Sequence, residues 1–293
     1  MNKRDIVLLV SSETSLGVLE SQVFSMAKII SLKKKKKVKK VLVGRKINFD
    51  QSKYSDTICF CYINKDFKIN NIKNSLVYIR TIDIFIKNYF RLKLNNNLII
   101  YDFRALIFAE SFFRNRNYFK LIILFILEMI VYLMADRVCA VSEVLKKKLS
   151  YYFVFNKNVF VFPCVVSNIK LIDKTRNDDA INFVYLGGLS EWQMFDETIG
   201  IYKKIADNIK CSVTFTVITR DKDLALSKLK VNRVEATVKS LTNNEVLDDL
   251  KNYDFGFLIR ENNLVNNVAS PIKYLEYLSN GVIPIISEGI GDY

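Results

Sequence analysis

"ASPIKYLEYLSNGVIPIIS", residues 269–287, decides how this chain is read. Its punctuation is that of a short helix. Ser270 suits the N-cap, Pro271 suits the first helical position because its missing N–H costs nothing there, and Gly281 stands where a left-handed residue closes a helix. The spacing predicts a helix over 271–279 that feeds the strand "VIPIIS" (282–287), and "DFGFLI" (254–259) predicts the strand before it. Strand, helix and strand in that order make a βαβ unit, which implies a parallel sheet. In such sheets ligands bind beyond the carboxyl ends of the strands, where helix N-termini present their N–H groups. The helix at 271 is therefore expected to face a cleft and to attract a phosphate. Lys273 adds a charge in its first turn, and Glu276, three residues on along the same face, is placed to accept two hydrogen bonds from a diol such as a ribose. The same residues also read as ordinary helix punctuation with a solvated Lys–Glu pair.

Outward from this unit the pattern repeats. Apolar, β-branched runs occur at 5–10, 40–44, 57–63, 75–79, 97–102, 137–141 and 158–163, with periodic helical stretches at 18–32, 81–92, 117–135 and 143–150 between several of them. The polar stretch "SNIKLIDKTRNDDA" (167–180) reads as a linker. Beyond it come strands at 181–186, 212–219, 233–238 and 254–259, a helix at 194–208, and "TNNEVLDDLKNY", whose Thr242 and Glu245 have capping-box spacing. The expectation is an α/β chain of two Rossmann-like domains facing a cleft, 1–166 and 181–293, joined by 167–180, with helices on both faces of parallel sheets.

Composition narrows the chemistry. The chain has 293 residues, half of them hydrophobic, enough for two cores. A formal charge of +14 favours an anionic partner, which by charge alone is nucleic acid, an acidic membrane surface or a phosphorylated small molecule. There is no histidine, which excludes Ser-His and Cys-His nucleophile pairs and nearly excludes a conventional zinc site. Five scattered cysteines, Cys59, Cys61, Cys139, Cys164 and Cys211, read as buried reduced thiols of a cytoplasmic protein. The opening "MNKRDIVLLVSSE" reads as a first buried strand and not as a signal peptide. "LIILFILEMIVYLM" (121–134) is short for a membrane span and carries Glu128 at its middle, so a buried or interfacial helix is expected there.

"SPIKYLEYLSNGVIPIIS" resembles the nucleotide-sugar-binding motif of the group 1 family of retaining glycosyltransferases, which have the two-Rossmann GT-B fold. Other pieces follow in family order. "VSSETSLGVLESQV" (10–23) is similar to the N-terminal glycine loop, "IIYDFRALIFAE" (99–110) and "ADRVCAVSEVLKKKL" (135–149) to first-domain signatures, and "FVYLGGLSEWQMFDETI" (183–199) to the loop that opens the second domain. The resemblance implies that Gly17 and the Gly187-Gly188 loop approach the donor phosphates, which residues without Cβ allow. It implies that Lys273, Arg260 and the amides after Ser270 hold the diphosphate, that Glu276 binds the ribose, and that Arg104 and Glu110 lie toward the acceptor and the transferred sugar. The first Glu of the family's Glu-x7-Glu motif falls at Val268, and the Arg and Lys of the second glycine loop fall at Gly188 and Gln193. Relatives with the "SP-x-K-x-x-EY" version of the motif also lack that first Glu. Family members continue past the point where this chain stops, so the resemblance implies either a fragment or a natively short protein.

The activity implied is transfer of a sugar from a UDP- or GDP-sugar to an acceptor hydroxyl with retention, without a metal or other cofactor, in bacterial surface polysaccharide or glycolipid synthesis. "DKD" at Asp221–Asp223 mimics a metal motif of the other large glycosyltransferase fold but is expected to be a polar turn. The run "KKKKKVKK" (33–40) reads alone as a solvated helix end; beside a lipid-linked or glycan acceptor it implies attachment to the anionic inner face of the membrane. Two other readings stay open: an inactive, truncated sugar-transferase-like binding protein, and a basic nucleic-acid binder, which the placement of the aromatic residues in apolar runs disfavours.

Overall fold

The computed structural model describes residues 4–11, 23–24, 27–28, 30–31, 38–43, 56, 58–62, 68–154, 157–166 and 180–293. Gly17, most of the expected helix 18–32, the lysines at 33–37 and the linker residues 167–179 lie outside the described residues. The chain divides into two compact units, Met1–Ser167 with Val268–Ser270 and Asp292, and Asn168–Asn267 with Pro271–Gly291 and Tyr293.

The first unit is built on β1 (Asp5–Ser11), β2 (Val38–Val43), β3 (Ile58–Tyr62), β4 (Ser75–Ile79), β5 (Leu98–Phe103), β6 (Arg137–Ala140) and β7 (Val159–Val161). Their order is β3-β2-β1-β4-β5-β6-β7 and every pair is parallel. Such a sheet is covered on both faces, which is why Val7, Leu8, Leu9 and Val10 are all buried in succession. Helices α1 (Ile82–Leu94), α2 (Ile107–Asn115), α3 (Tyr118–Met134) and α4 (Glu143–Phe153) connect the strands from β4 onward. The chain runs outward to β3 and then returns to β4, so the strand order reverses between β1 and β4.

Helix α2 has no counterpart in the sequence reading, and its capping explains why. Its N-cap is Leu106, which offers no side-chain acceptor. The role passes to Glu128 on α3, whose two carboxylate oxygens accept from the Ile107 and Phe108 amides at 3.0 and 3.1 Å. The one acidic residue of the apolar run is thus a helix cap supplied from another helix. Among the described residues no helix is long and apolar enough to cross a membrane.

The second unit holds β8 (Ala180–Leu186), β9 (Ser212–Ile218), β10 (Thr237–Lys239), β11 (Phe255–Leu258) and β12 (Ile283–Ile286), in the order β10-β9-β8-β11-β12 and again all parallel. Its helices are α5 (Phe195–Asn208), α6 (Lys222–Asn232), α7 (Asn243–Asp249), α8 (Leu264–Asn267) and α9 (Ile272–Ser279). Stacked Phe183 and Phe257, 5.6 Å between centroids, lie at the centre of the core with Phe215, Ile199 and Leu229. The strand order reverses between β8 and β11, as it does between β1 and β4.

Several expectations need correction. Asp221 and Asp223 do not make a bare turn: Asp221 precedes α6 and Asp223 lies in its first turn, where a negative charge complements the helix dipole. That helix runs to Asn232 and ends at Arg233 in a left-handed conformation (φ 54), which moves the expected strand 233–238 to Thr237–Lys239. Lys39 and Lys40 belong to β2, so the lysine run ends in a strand and not in a helix terminus. Cys139 and Cys164 are at least half-buried, whereas Cys59, on an edge strand, and Cys211, in the turn before β9, are exposed. The Thr242–Glu245 capping box is present, the Glu245 carboxylate accepting from the Thr242 amide at 2.7 Å.

Candidate functional site

The two ends of helix α9 behave differently. At the C-terminus Gly281 adopts φ 69, its amide donating to the Leu278 carbonyl and that of Val282 to the Tyr277 carbonyl, so the helix closes in the Schellman pattern expected of Gly281. At the N-terminus the expectation fails by one residue. Pro271, with ψ 118, stands outside the helix as its N-cap and has no side-chain acceptor to offer. Ser270 is not the cap; its hydroxyl instead accepts from the Cys164 amide at 3.3 Å within the first unit. The N-cap position of α9 therefore offers no side-chain cap, and among the described residues no side chain is bonded to the first amides of the helix at the positive end of its dipole.

Tyr277 fixes the helix against the sheet. It is fully buried, its hydroxyl accepts from the Leu186 amide at 3.0 Å and donates to the Phe257 carbonyl at 3.2 Å, and so bridges β8 and β11 where the strand order reverses. The ring lies over Gly256, where a Cβ would come within 2.7 Å of it. A glycine in the middle of β11 thus lets α9 approach the strand closely. Tyr277 and Gly256 were not singled out from the sequence, because a Tyr in a helix and a Gly in a strand signal nothing until they are stacked.

With Tyr277 anchored, Lys273 one turn earlier reaches the glycine loop after β8. Its Nζ sits so close to Gly187 that a Cβ there would collide with it, and Gln193 Oε1 would lie 2.8 Å from the same Cβ. Tyr185 donates from its hydroxyl to the Gly188 carbonyl at 2.6 Å and to Gln193 Oε1 at 3.3 Å, which shapes the loop. Gly187, Gly188, Lys273, Glu276 and Arg260 are therefore gathered at the carboxyl ends of β8 and β11, where an open parallel sheet places its ligands.

The electrostatics of this cluster are unsatisfied. Burial, reinforced by the Arg260 guanidinium and only partly opposed by Glu276, pulls the Lys273 ammonium down to about 7. Burial also lowers Arg260 and raises Glu276, the latter countered by Lys273. Among the described residues no carboxylate oxygen lies within 4.0 Å of the Lys273 ammonium or the Arg260 guanidinium, so the alternative reading of Lys273 and Glu276 as a closed ion pair is not met. Two cations held together at a burial cost, beside a glycine loop and an uncapped helix terminus, form a site that an anion would relieve.

The remaining expected residues lie in the first unit. Arg104, just past β5, is bonded through Nε to the buried Asp102 and lies 3.4 Å from the Tyr78 hydroxyl, while Arg80, just past β4, approaches the same Asp102 oxygen at 3.7 Å. Burial acts most strongly and lowers the Arg104 guanidinium, but Asp102, Tyr78 and Cys164 together outweigh it and hold Arg104 above its ordinary value. Glu110 sits on α2 in a surface pair with Arg114 at 3.4 Å. Arg104 and Glu110 thus belong to two separate networks.

No protein-family model matches this sequence, and no curated protein matches it. Solved structures do. The chain is similar to the lipopolysaccharide outer core galactosyltransferase WaaB in its apo form (13% identity, TM-score 0.63, covering 98% of this chain and 81% of that one). It is similar to the sucrose-phosphate synthase of Thermosynechococcus elongatus (10% identity, TM-score 0.70, 98% and 82% coverage). An alpha-glucosyltransferase in complex with UDP and a 13-mer DNA is a third (13% identity, TM-score 0.61, 97% and 80% coverage). At these identities the likeness is one of fold: an α/β chain with two parallel sheets flanked by helices, as in the GT-B glycosyltransferases.

Proposed function

We propose that this chain is a retaining glycosyltransferase that moves a sugar from a nucleoside-diphosphate sugar to an acceptor hydroxyl, in the synthesis of bacterial cell-surface polysaccharide or glycolipid. The observation that carries the reading is the pairing of Lys273 and Arg260, with no carboxylate partner among the described residues, beside Gly187 and a start of α9 whose N-cap Pro271 offers no acceptor. The leaving group of such a reaction is a diphosphate, so the protein's main task is to receive negative charge as the glycosidic bond breaks. Lys273, Arg260 and the first amides of α9 take that charge, Gly187 and Gly188 let the backbone come close, and Glu276 accepts from the ribose hydroxyls. In this scheme charge neutralisation falls on the two side chains and needs no metal. UDP, which one structural neighbour binds, is the first nucleotide to test, with GDP as the alternative.

The reading extends to the rest of the reaction. Arg104 and Glu110 are assigned to the acceptor side, Arg104 held in one orientation by Asp102. The acceptor is a glycan or a lipid-linked glycan, and the protein works in the cytoplasm at the inner face of the membrane.

Calorimetric titration of UDP- and GDP-sugars tests the site. One of them is expected to bind, to weaken with Glu276→Gln, and to release a heat that depends on the buffer's ionisation enthalpy near pH 7.5, because the diphosphate pulls a proton onto Lys273. A panel with no binder overturns the proposal, and binding without turnover on any acceptor reduces it to a sugar-nucleotide-binding module.

A further inference from the structure

Among the described residues of the first unit, the exposed apolar surface is concentrated on two neighbouring helices. On α1 the side chains of Ile86, Phe90 and Leu94, spaced by four and therefore on one face, are exposed, Phe90 to 71% and Leu94 to 86%. On α3 the exposed residues are Tyr118, Phe119, Ile122, Ile123, Ile126 and Leu133, with Phe119 at 75% and Ile122 at 54%. The strands β4, β5 and β6 are consecutive neighbours, crossovers between parallel strands are right-handed as a rule, and the two helices touch, which puts α1 and α3 on the same face of the sheet. The ion pair between Lys93 at the end of α1 and Asp136 just after α3, at 2.8 Å, ties the two together.

A helix facing water carries charge on its outer face. From residue 121 to 134, α3 has no charged residue except Glu128, and that one is fully buried as the cap of α2. The charges sit at the margins instead: exposed Arg116 and Lys120 at the start of α3, and exposed Lys87 and Arg91 beside the α1 stripe, against the exposed Asp83. An apolar face of this extent rimmed by cations is complementary to a layer with an apolar interior and anionic headgroups.

We infer that the outer face of α1 and α3 is the surface by which this protein docks on an anionic membrane. Phe90, Leu94, Phe119, Ile122 and Ile126 enter the headgroup–acyl boundary while Lys87, Arg91, Arg116 and Lys120 meet lipid phosphates. The inference rests on the reading of the protein as peripheral to the membrane, and it moves the anchor from the lysine run at 33–40 to a folded apolar surface.

Cosedimentation of the full chain with vesicles of phosphatidylglycerol and phosphatidylcholine, compared with phosphatidylcholine alone, tests it. Binding is expected to require the anionic lipid and to fall at least ~10-fold in Ile122→Ser with Ile126→Ser, whose apolar insertion is lost. Leu226→Ser, at an exposed leucine of the second unit, is expected to bind as the unaltered chain does, and thermal melts of all variants are expected to coincide. If the unaltered chain ignores vesicles, both the peripheral reading and this inference fail. If it binds but the double variant binds equally, and replacing Lys33–Lys37 with glutamine abolishes binding, the membrane reading stands and this surface is excluded. A dimer in solution that the double variant dissociates, with no vesicle binding, overturns the inference in favour of self-association.

Discussion

At the carboxyl end of the first sheet, Arg80 and Arg104 converge on the fully buried carboxylate of Asp102. At the carboxyl end of the second sheet, Arg260 and Lys273 converge with no carboxylate of the described residues within bonding distance, Glu276 acting only from further off. The two sheets share a strand-order reversal, and each gathers a pair of cations at its carboxyl edge, past β4 and β5 in the first and beside the reversal in the second, yet the protonation preferences point in opposite directions: Arg104 is held above its ordinary value and Lys273 is pulled down to about 7. A cation with an internal counter-charge is part of the fold. A cation kept near a glycine loop without one costs stability and is explained by a ligand that brings the missing charge.

The largest effect should come from breaking the first arrangement. Asp102→Ala strands two guanidiniums in a buried setting and is expected to cost on the order of 3–5 kcal/mol in urea unfolding. A loss below ~1 kcal/mol would mean the Asp102 cluster is not structural, and the contrast between the two edges would vanish.

The pH dependence of stability separates the units next. The buried Glu128 carboxyl, raised to about 7 chiefly by burial and against its two amide bonds, binds its proton more tightly folded than unfolded, so stability falls as pH rises from the ordinary carboxylate range through 7. Lys273, lowered to about 7, is already neutral in the folded protein above that pH while the unfolded chain keeps its proton, so stability rises again from 7 toward the ordinary lysine range. Stability in urea unfolding is expected to pass through a minimum near pH 7, with limbs of up to ~3 kcal/mol on the acid side and ~5 kcal/mol on the alkaline side at 1.36 kcal/mol per unit. Glu128→Gln should flatten the acid limb and Lys273→Met the alkaline one; a minimum unaffected by either substitution would remove these two groups from the account.

Lys273→Met sharpens the comparison in binding as well. It is expected to weaken the sugar nucleotide ~100-fold, the worth of a hydrogen bond to a charged partner, while stability at pH 7 holds or improves. Equal losses in both would make Lys273 a structural cation like Arg104. Gly256→Ala, which pushes Tyr277 and α9 off the sheet, should cost ~1–3 kcal/mol by overpacking and weaken the same ligand. The smallest effect belongs to the surface: Glu110→Gln breaks an exposed pair with Arg114 and should change stability by at most ~0.5 kcal/mol in thermal melts.

Much of the molecule was legible in the order of its residues. Parallel strands buried on both faces leave continuous apolar runs such as "DIVLLVS" and "AINFVYL", and glycine at Gly281 marks a helix end because few other residues tolerate its backbone angle. Helices α2 and α6 were not legible. The cap of α2 is Glu128, twenty residues or more away along the chain, and α6 opens on a charged triplet that reads equally well as a turn. Local sequence carries no record of a cap supplied by another element.

The sequence by itself determined the alternation of strands and helices, the motif around Lys273 and Glu276, and the absence of histidine chemistry, because these depend on residue type and short spacing. Only the tertiary structure decided that Pro271 and not Ser270 is the N-cap of α9, that Tyr277 packs over Gly256 to aim Lys273 at Gly187, and that Asp102 neutralises one pair of cations while the other finds no carboxylate among the described residues. Charge compensation acts through space over a few ångströms, between residues that the chain separates by tens or hundreds of positions.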